Sequence, residues 1–193
     1  DDDFDTDSYV FSMVINTRKT LKEWCASMAF QCRCYFRFAN GKAYLLYRSG
    51  EFISDKTITK YMIRMNSDST TSMKGPSRTP LEEIINKIDL YYQRDWTKSG
   101  EDAYQAISSV SDSTSITAYG EKQKPELFMF NFVISAMMVS SLANFYLNSY
   151  KDRKKMITSM DVFLDNSELE FADIIEITPL GSSLWEVQKV NVY

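Results

Sequence analysis

Residues 127–150 read LFMFNFVISAMMVSSLANFYLNSY and contain no charged residue. A helix that crosses a membrane needs roughly 20 mostly apolar residues, so the stretch is long enough to span one. The residues that follow it would suit the cytoplasmic flank of such a helix: Lys151, Arg153, Lys154 and Lys155. A helix buried within a protein is the second interpretation, and we favour it because the chain has no second candidate span.

Polar residues interrupt this stretch at Asn131, Ser135, Ser140, Ser141, Asn144, Asn148 and Ser149. Wound at about 100° per residue, they fall around most of a helix and mark no clean polar face. We therefore predict one helix over residues 131–150, with Asn131 as its N-cap. Because its apolar residues face every direction, the helix needs cover, and we expect the strands over residues 155–192 to provide it. Any side that they leave bare should be an assembly contact.

The composition is that of an ordinary globular protein, with 44% hydrophobic and 25% charged residues over 193 positions. A net charge of −4 gives no general case for nucleic-acid binding. The chain opens with an acidic, solvated lead-in, formed by Asp1, Asp2, Asp3, Asp5 and Asp7. No basic segment followed by an apolar one is visible, so we expect no signal peptide. The absence of an initial Met suggests a piece of a longer chain.

Histidine is absent, which excludes Ser-His-Asp triads, Cys-His dyads and zinc sites that contain histidine. The three cysteines, Cys25, Cys32 and Cys34, are odd in number and crowded, so we expect reduced thiols rather than a disulfide framework. Seven residues separate Cys25 from Cys32, which is about two helical turns, so both suit one apolar helix face. We expect small core residues that Ala or Ser can replace together with the fold retained.

The first part of the chain predicts a strand and then a helix. Residues 9–15 are β-branched and aromatic, as in a strand. Thr20 and Glu23 have the spacing of a capping box, and the apolar residues after them recur at helical spacing as far as Gln31.

Asn40-Gly41 is the clearest local signal in the sequence. It separates two strand-like segments, residues 35–39 and 42–47. Asn-Gly supplies the two positive-φ positions of a type I′ turn, so we predict a hairpin with a two-residue turn.

Further strands are predicted along the rest of the chain. Residues 57–65 suit a strand. Residues 80–94 fit a helix by spacing and a strand by alternation; we predict one helical turn, with Thr79 as N-cap and Pro80 first in it, and then a strand over residues 86–94. Residues 104–110 suit a short strand or a helix. The last three strands, over residues 155–164, 169–178 and 184–192, read as an antiparallel meander.

A turn at residues 97–101, TKSGE, is a weak domain boundary. It divides the chain into a helix-plus-hairpin domain, residues 1–97, and a domain with the long helix and the meander, residues 98–193. The predicted fold class is α+β with mostly antiparallel sheets, one long buried helix and a shorter helix near the N-terminus.

Candidate sites are few. Asp95 and Trp96 beside Arg94 suit a sugar-binding corner, although a strand end with a packed Trp is the favoured interpretation. Scattered oxygen ligands for calcium occur at Asp161, Asp165, Asn166 and Glu168, without the spacing of a calcium loop. An acid pair for glycoside hydrolysis is conceivable, but nothing marks one out. No catalytic site, metal or cofactor is predicted.

The order of these elements resembles the phage tail hub family, which includes the baseplate hub of contractile phages. NKIDLYY at residues 86–92 looks like its N-x-I-x-V-x-Y strand, and residues 112–120 are similar to its D-x-x-S-I-x-x-Y-G stretch. LEFADIIEIT at residues 169–178 looks like L-x-x-G-D-V-V-x-L-T, with Ala172 where the family has glycine. The resemblance covers most of residues 17–190.

This resemblance implies a tube-like β architecture and a structural, non-enzymatic role. The protein would form a homo-oligomeric ring, with a trimer as one candidate size, that joins the tail tube to the tip and takes part in assembly and DNA ejection. Its partners would be tube, distal tail and tape-measure proteins, with no specific nucleic-acid site and no membrane, in the virion tail and in the host cytoplasm during assembly.

The expected assembly contacts lie on or near the long helix: Ala136, Ala143, Phe132 and Met137. Ala136 and Ala143, seven residues apart, would allow close approach of a neighbour. The alternative functions are a membrane-anchored protein that uses residues 127–150 as its span and a carbohydrate-active hydrolase.

Overall fold

The computed structural model describes residues 11–15, 18–39, 41–48, 54, 56–75, 77–163, 169, 173–180, 184–187 and 190. The helices are α1 (Leu21–Gln31), α2 (Ser113–Tyr119) and α3 (Ala136–Tyr150). The strands are β1 (Cys34–Ala39), β2 (Lys42–Tyr47), β3 (Lys56–Ile58), β4 (Ser77–Arg78), β5 (Lys87–Arg94), β6 (Tyr104–Ser111), β7 (Lys155–Met156), β8 (Ile174–Ile177) and β9 (Leu184–Glu186). Short 3-10 helices cover Lys60–Met62, Leu81–Glu83, Glu101–Ala103, Pro125–Phe128 and Thr178–Leu180.

The chain divides into two compact units that alternate along the sequence. Unit 1 comprises Asp1–Tyr47 and Pro80–Arg153, and unit 2 comprises Arg48–Thr79 and Lys154–Tyr193. The boundary expected between residues 97 and 98 therefore falls inside unit 1, in the connection between the paired strands β5 and β6.

The fold class is α+β with mostly antiparallel sheets, as the sequence predicts. Within the described residues, β1–β2, β4–β7, β5–β6 and β8–β9 pair antiparallel, and β3–β8 pairs parallel.

The core of unit 1 lies between the β5–β6 hairpin and α3. The segment before α3 runs along the other edge of β5, where the Phe130 N–H donates to the Tyr91 carbonyl at 2.8 Å and the Gln93 N–H donates to the Val133 carbonyl at 3.0 Å. The buried core residues are Ile85, Ile88, Leu90, Phe128, Phe130, Val133, Met138, Val139, Leu142, Ala143, Phe145, Tyr146 and Leu147.

Helix α3 begins at Ala136, with Ser135 at the N-cap position, so the predicted start at residue 131 is wrong. The prediction of no clean polar face is also wrong. Asn131 and Ser135 precede the helix, and Ser149 is buried. The polar residues that remain form one exposed stripe: Ser140, Ser141, Asn144 and Asn148.

The cover for α3 is not the strands that follow it. The helix packs on β5 and β6, while β7, β8 and β9 belong to unit 2. The pairing of residues 129–133 with β5 explains the difference, because the chain is already fixed to this sheet when it enters the helix. Across the described residues, no helix has both the length and the apolar character needed to cross a membrane.

The predicted helix α1 is confirmed with its capping box. The Glu23 N–H donates to the Thr20 hydroxyl at 3.3 Å, and the Thr20 N–H donates to the Glu23 carboxylate at 2.7 Å. The predicted hairpin is also confirmed, since Ala39 pairs with Lys42 across a two-residue turn and Gly41 has a φ of 73°. Asn40, the other turn residue, lies outside the described residues.

Between residues 79 and 110, most of the predicted elements form, but the predicted N-cap does not. The helical turn and the following strand predicted within residues 80–94 are confirmed by Leu81–Glu83 and β5. Thr79 is not a cap, because its hydroxyl accepts the Lys154 N–H at 3.1 Å. Residues 104–110 lie in strand β6.

Two predicted strands form only in part. Of residues 57–65, only the first part lies in a strand, β3, before a 3-10 helix follows. Phe11 forms a single bridge with Val133, while residues 9 and 10 and the acidic lead-in lie outside the described residues.

Unit 2 contains the three-stranded sheet β3-β8-β9 and the separate pair β4–β7. Its core is formed by Ile58, Ile63, Ile175 and Ile177. The predicted meander is therefore only partly correct. β8 and β9 pair antiparallel, but β7 pairs with β4, and β8 takes β3 as its parallel neighbour. Ala172 lies outside the described residues.

Candidate assembly surface

The β1–β2 hairpin has an apolar face that is uncovered near the turn. Cys34, Phe36 and Phe38 share this face with their partners across the hairpin, and the rings of Phe36 and Phe38 lie 5.0 Å apart. Burial falls along the face: Cys34 is buried, whereas Phe38 and Leu45 are 58% and 59% exposed near the turn. The hairpin packs on α1 through Cys34 and Phe36, and its end near the turn is the exposed part.

The hairpin also lies within a basic stretch of the chain. Residues 24–50 contain Arg33, Arg37, Lys42 and Arg48 and no acidic residue. Because the whole chain has 22 basic and 26 acidic residues, the remainder has 18 basic residues against 26 acidic ones, a net charge of −8. The hairpin therefore lies in a basic stretch of a chain that is acidic elsewhere.

The four expected assembly contacts fall into two groups. Phe132 is 1% exposed and Ala143 is 0% exposed, so both are core residues of unit 1 rather than contacts. Ala136 is exposed, and Met137 is 84% exposed at the N-terminal end of the polar stripe of α3. Only this end of the helix therefore offers an apolar contact among the four residues.

The sugar-corner residues at the end of β5 make contacts within the protein. The Arg94 guanidinium lies 4.7 Å from the centroid of the Trp96 ring, and this ring stacks with that of Phe132 at 6.5 Å. The Asp95 carboxylate accepts the Thr97 hydroxyl at 2.6 Å and the Thr97 N–H at 3.0 Å, and these hydrogen bonds lower the pKa of Asp95. These contacts favour a strand end with a packed Trp over a sugar-binding corner.

Asn131 is a hydrogen-bond acceptor between strands rather than a helix cap. Its side-chain oxygen accepts the Tyr104 hydroxyl at 2.7 Å and also the Arg94 guanidinium. Burial raises the pKa of Tyr104. The interaction fixes the segment before α3 to both strands of the β5–β6 hairpin.

Residues 86–92 and 112–120, two of the three segments compared with tail-hub motifs, meet in one buried network. Asn86 is fully buried, and its amide donates to the Gly120 carbonyl at 2.8 Å and to the Ser115 hydroxyl at 3.3 Å. The Asn86 side-chain oxygen accepts the Lys122 N–H at 2.8 Å. The Ser115 hydroxyl in turn donates to the Lys151 carbonyl. The network joins the start of β5, helix α2 and the end of α3.

Helix α2 is an element that the sequence analysis missed, although its signals are local. Asp112 is its N-cap and accepts the Ser115 N–H at 2.9 Å, and Gly120 ends it with a φ of 74°. The Asp112 carboxylate also lies 2.9 Å from the Lys151 ammonium. The hydrogen bond from Ser115 and the contact with Lys151 lower the pKa of Asp112.

The three cysteines are free thiols in this structure. Cys32 and Cys34 are buried and donate to the carbonyls of Ala29 and Cys32 at 3.4 Å and 3.3 Å. The hydrogen bond between the two side chains and burial raise the pKa of Cys32, while the same bond and nearby Arg33 lower that of Cys34. Cys32 and Cys34 pack with Ala29 in one buried cluster, as expected for small core residues.

No metal-binding constellation is found among the described residues. Asp161 uses its backbone carbonyl to accept the Ser72 hydroxyl at 3.2 Å. The other calcium candidates, Asp165, Asn166 and Glu168, lie outside the described residues. In comparisons of the sequence with known proteins, no family model and no curated protein matches this chain.

Proposed function

We propose that this chain is a structural component of a phage tail tip or baseplate hub and that its copies form a ring. In this role it connects the tail tube to the tip and takes part in assembly and DNA ejection, without enzymatic activity. Distal tail, tube and tape-measure proteins are its proposed partners in the virion tail, after assembly in the host cytoplasm. The order of motif-like segments supports the family, and the hairpin surface supports the assembly role.

The single observation that carries the assembly role is the exposed apolar face at the end of the β1–β2 hairpin. Phe38 and Leu45 expose more than half of their surface on one side of a two-stranded ribbon. Exposed apolar surfaces of this kind mark protein–protein contacts. The proposed occupant is a second copy of this chain.

Charge favours a head-to-tail contact over a symmetric one. Two basic hairpins facing each other would repel, whereas a basic hairpin on the acidic surface of a neighbour attracts it. A contact between two different surfaces repeats from copy to copy and closes into a ring when the rotation allows it. Exposed Met137 supplies a second apolar contact.

Negative-stain electron microscopy of the full-length protein tests this proposal. Closed rings or tail-tip particles are expected, and fewer of them at high salt because screening weakens the attraction. Replacement of Lys42 by Glu, at the hairpin turn, should reduce ring formation. Lys74→Glu, an exposed charge reversal in unit 2, should leave it unchanged. Dispersed single copies at every concentration and salt would contradict the proposal.

A further inference from the structure

Unit 2 has a surface pocket of about 250 Å³ that the hairpin contact does not use. Its lining comes from four elements: strand β4, strand β7, the 3-10 helix after β8, and strand β9. The lining residues are Ser77, Arg78, Lys155, Leu180 and Trp185. Pockets for drug-sized ligands are typically about 300–1,000 Å³, so this pocket suits a smaller molecule.

Two cations that line the pocket are neighbours on adjacent strands. Arg78 and Lys155 are direct partners in the antiparallel β4–β7 pair, and both are exposed. Like charges directly opposite each other on a strand pair are unfavourable. Within the described residues, neither side chain has a carboxylate in ion-pair contact. An anion between them would relieve the repulsion.

Other charged groups lie near Lys155. Burial lowers the pKa of Lys154, the neighbour of Lys155, and Arg48 lowers it further. Glu186 acts in the opposite direction, but its carboxylate lies 3.7 Å from the Arg48 guanidinium.

The opposite part of the lining supplies an apolar surface and a hydrogen-bond donor. Leu180 and Trp185 are half-buried. Within the described part of the chain, the buried Trp185 indole Nε1–H has no hydrogen-bond partner. The Ser77 hydroxyl provides another donor at the rim.

We propose that this pocket binds a small organic anion. An oxyanion group, a carboxylate or a phosphate, lies between Arg78 and Lys155, and the apolar body of the ligand lies against Leu180 and Trp185. The pairing of charged donors with one apolar wall selects for a molecule that has both parts. The site lies in unit 2 and does not depend on the proposed ring.

Amide and indole NMR of the full chain tests the proposal. The chain has three Trp residues, and Trp185→Phe identifies which indole N–H signal belongs to Trp185. Benzoate and phenyl phosphate are the probes, and each should shift this signal in a saturable way. Arg78→Gln and Lys155→Gln should each weaken binding about tenfold, because each removes one charged donor.

Arg64→Gln is the matched control, because it removes an exposed cation of unit 2 that does not line the pocket. It should leave the affinity for both probes unchanged. The amide spectra of Arg78→Gln and Lys155→Gln should show that both variants are folded. Benzyl alcohol and inorganic phosphate, which lack the charge or the apolar body, should bind more weakly than the matching probes. Equal binding of either comparator, an unshifted Trp185 signal, or unchanged affinity in Arg78→Gln would overturn the proposal.

Discussion

The Asn86 side-chain amide donates a 2.8 Å hydrogen bond to the carbonyl oxygen of Gly120, which joins the start of a strand to the end of a helix 34 residues later. Asn86 is fully buried and also contacts Ser115 and Lys122. A buried side chain with every strong hydrogen bond made inside the protein fixes local geometry, because no water can replace those partners. This residue therefore sets where α2 ends relative to β5.

Replacement of Asn86 by Ala should destabilise unit 1 by about 3 kcal/mol, because it leaves the Lys122 N–H and the Gly120 carbonyl without a partner. Chemical denaturation gives the free energy of unfolding. Asn144→Ala, on the exposed stripe of α3, is the matched control and should change it by less than about 0.5 kcal/mol. Equal effects of the two variants would contradict a structural role for the network.

Replacement of Gly41 by Val should cost about 1 kcal/mol or more in stability. Gly41 has a φ of 73°, and a β-branched residue is strained there although no atom lies within 4 Å of the added Cβ. Gly75→Val is the control, because this glycine is equally open and lacks the positive φ. Thermal unfolding should separate the two variants, and a destabilised Gly75→Val with an unaffected Gly41→Val would refute the turn geometry.

Ala143 and Ala136 should respond oppositely to Asp. Ala143 is fully buried in the core of unit 1, so an unpaired carboxylate there should cost about 4 kcal/mol or more and yield unfolded or insoluble protein. Ala136 is exposed in the first turn of α3, where a negative charge interacts favourably with the helix dipole, so Ala136→Asp should fold. Circular dichroism checks both variants. A folded, soluble Ala143→Asp would contradict the burial of α3.

Asp112 should make stability depend on pH in the acidic range. The pKa of Asp112 is lowered in the folded state by the Ser115 N–H and then by Lys151, so its contribution is present above the unfolded pKa of about 4 and is lost as pH falls through the folded pKa. Asp112→Asn retains a good N-cap but loses the charge. Its melting temperature should lie below that of wild type at pH 7, and the gap should close at low pH.

Asp102→Asn, an exposed carboxylate of the same unit, is the control for this measurement and should follow wild type throughout. A gap between wild type and Asp112→Asn that stays constant from pH 7 to about pH 3 would rule out the charge of Asp112 as its cause.

Short-range chemistry was sufficient for several elements. The capping box of Thr20 and Glu23, the turn at Gly41 and the alternation over β5 each involve residues close in sequence. The start of α3 depended on distant partners, because Phe130 and Val133 pair with β5 before the helix begins. The exposed polar stripe of α3 is recognisable only when the helix is taken to begin at Ala136.

In unit 2, the strand pairs β3–β8 and β4–β7 join segments that are far apart in the sequence, so local sequence patterns could not predict them. β3 pairs in parallel with β8, and Ile58 lies opposite Ile177 across more than a hundred residues of chain. The pocket lined by Arg78 and Lys155 arises from the same kind of pairing, between β4 and β7. Neither arrangement has a local pattern, whereas the missed helix α2 had one in Asp112 and Gly120.

Sedimentation velocity of the full-length protein measures whether its copies assemble through the β1–β2 hairpin. Wild type should sediment as a closed oligomer with a mass that is a multiple of one chain. A Phe38→Ser and Leu45→Ser double variant should sediment as a single chain, because it removes the exposed apolar face. Leu21→Ser, a leucine 72% exposed at the start of α1, should assemble as wild type does. A single-chain wild type at all concentrations, or a double variant that assembles as wild type does, would contradict the account.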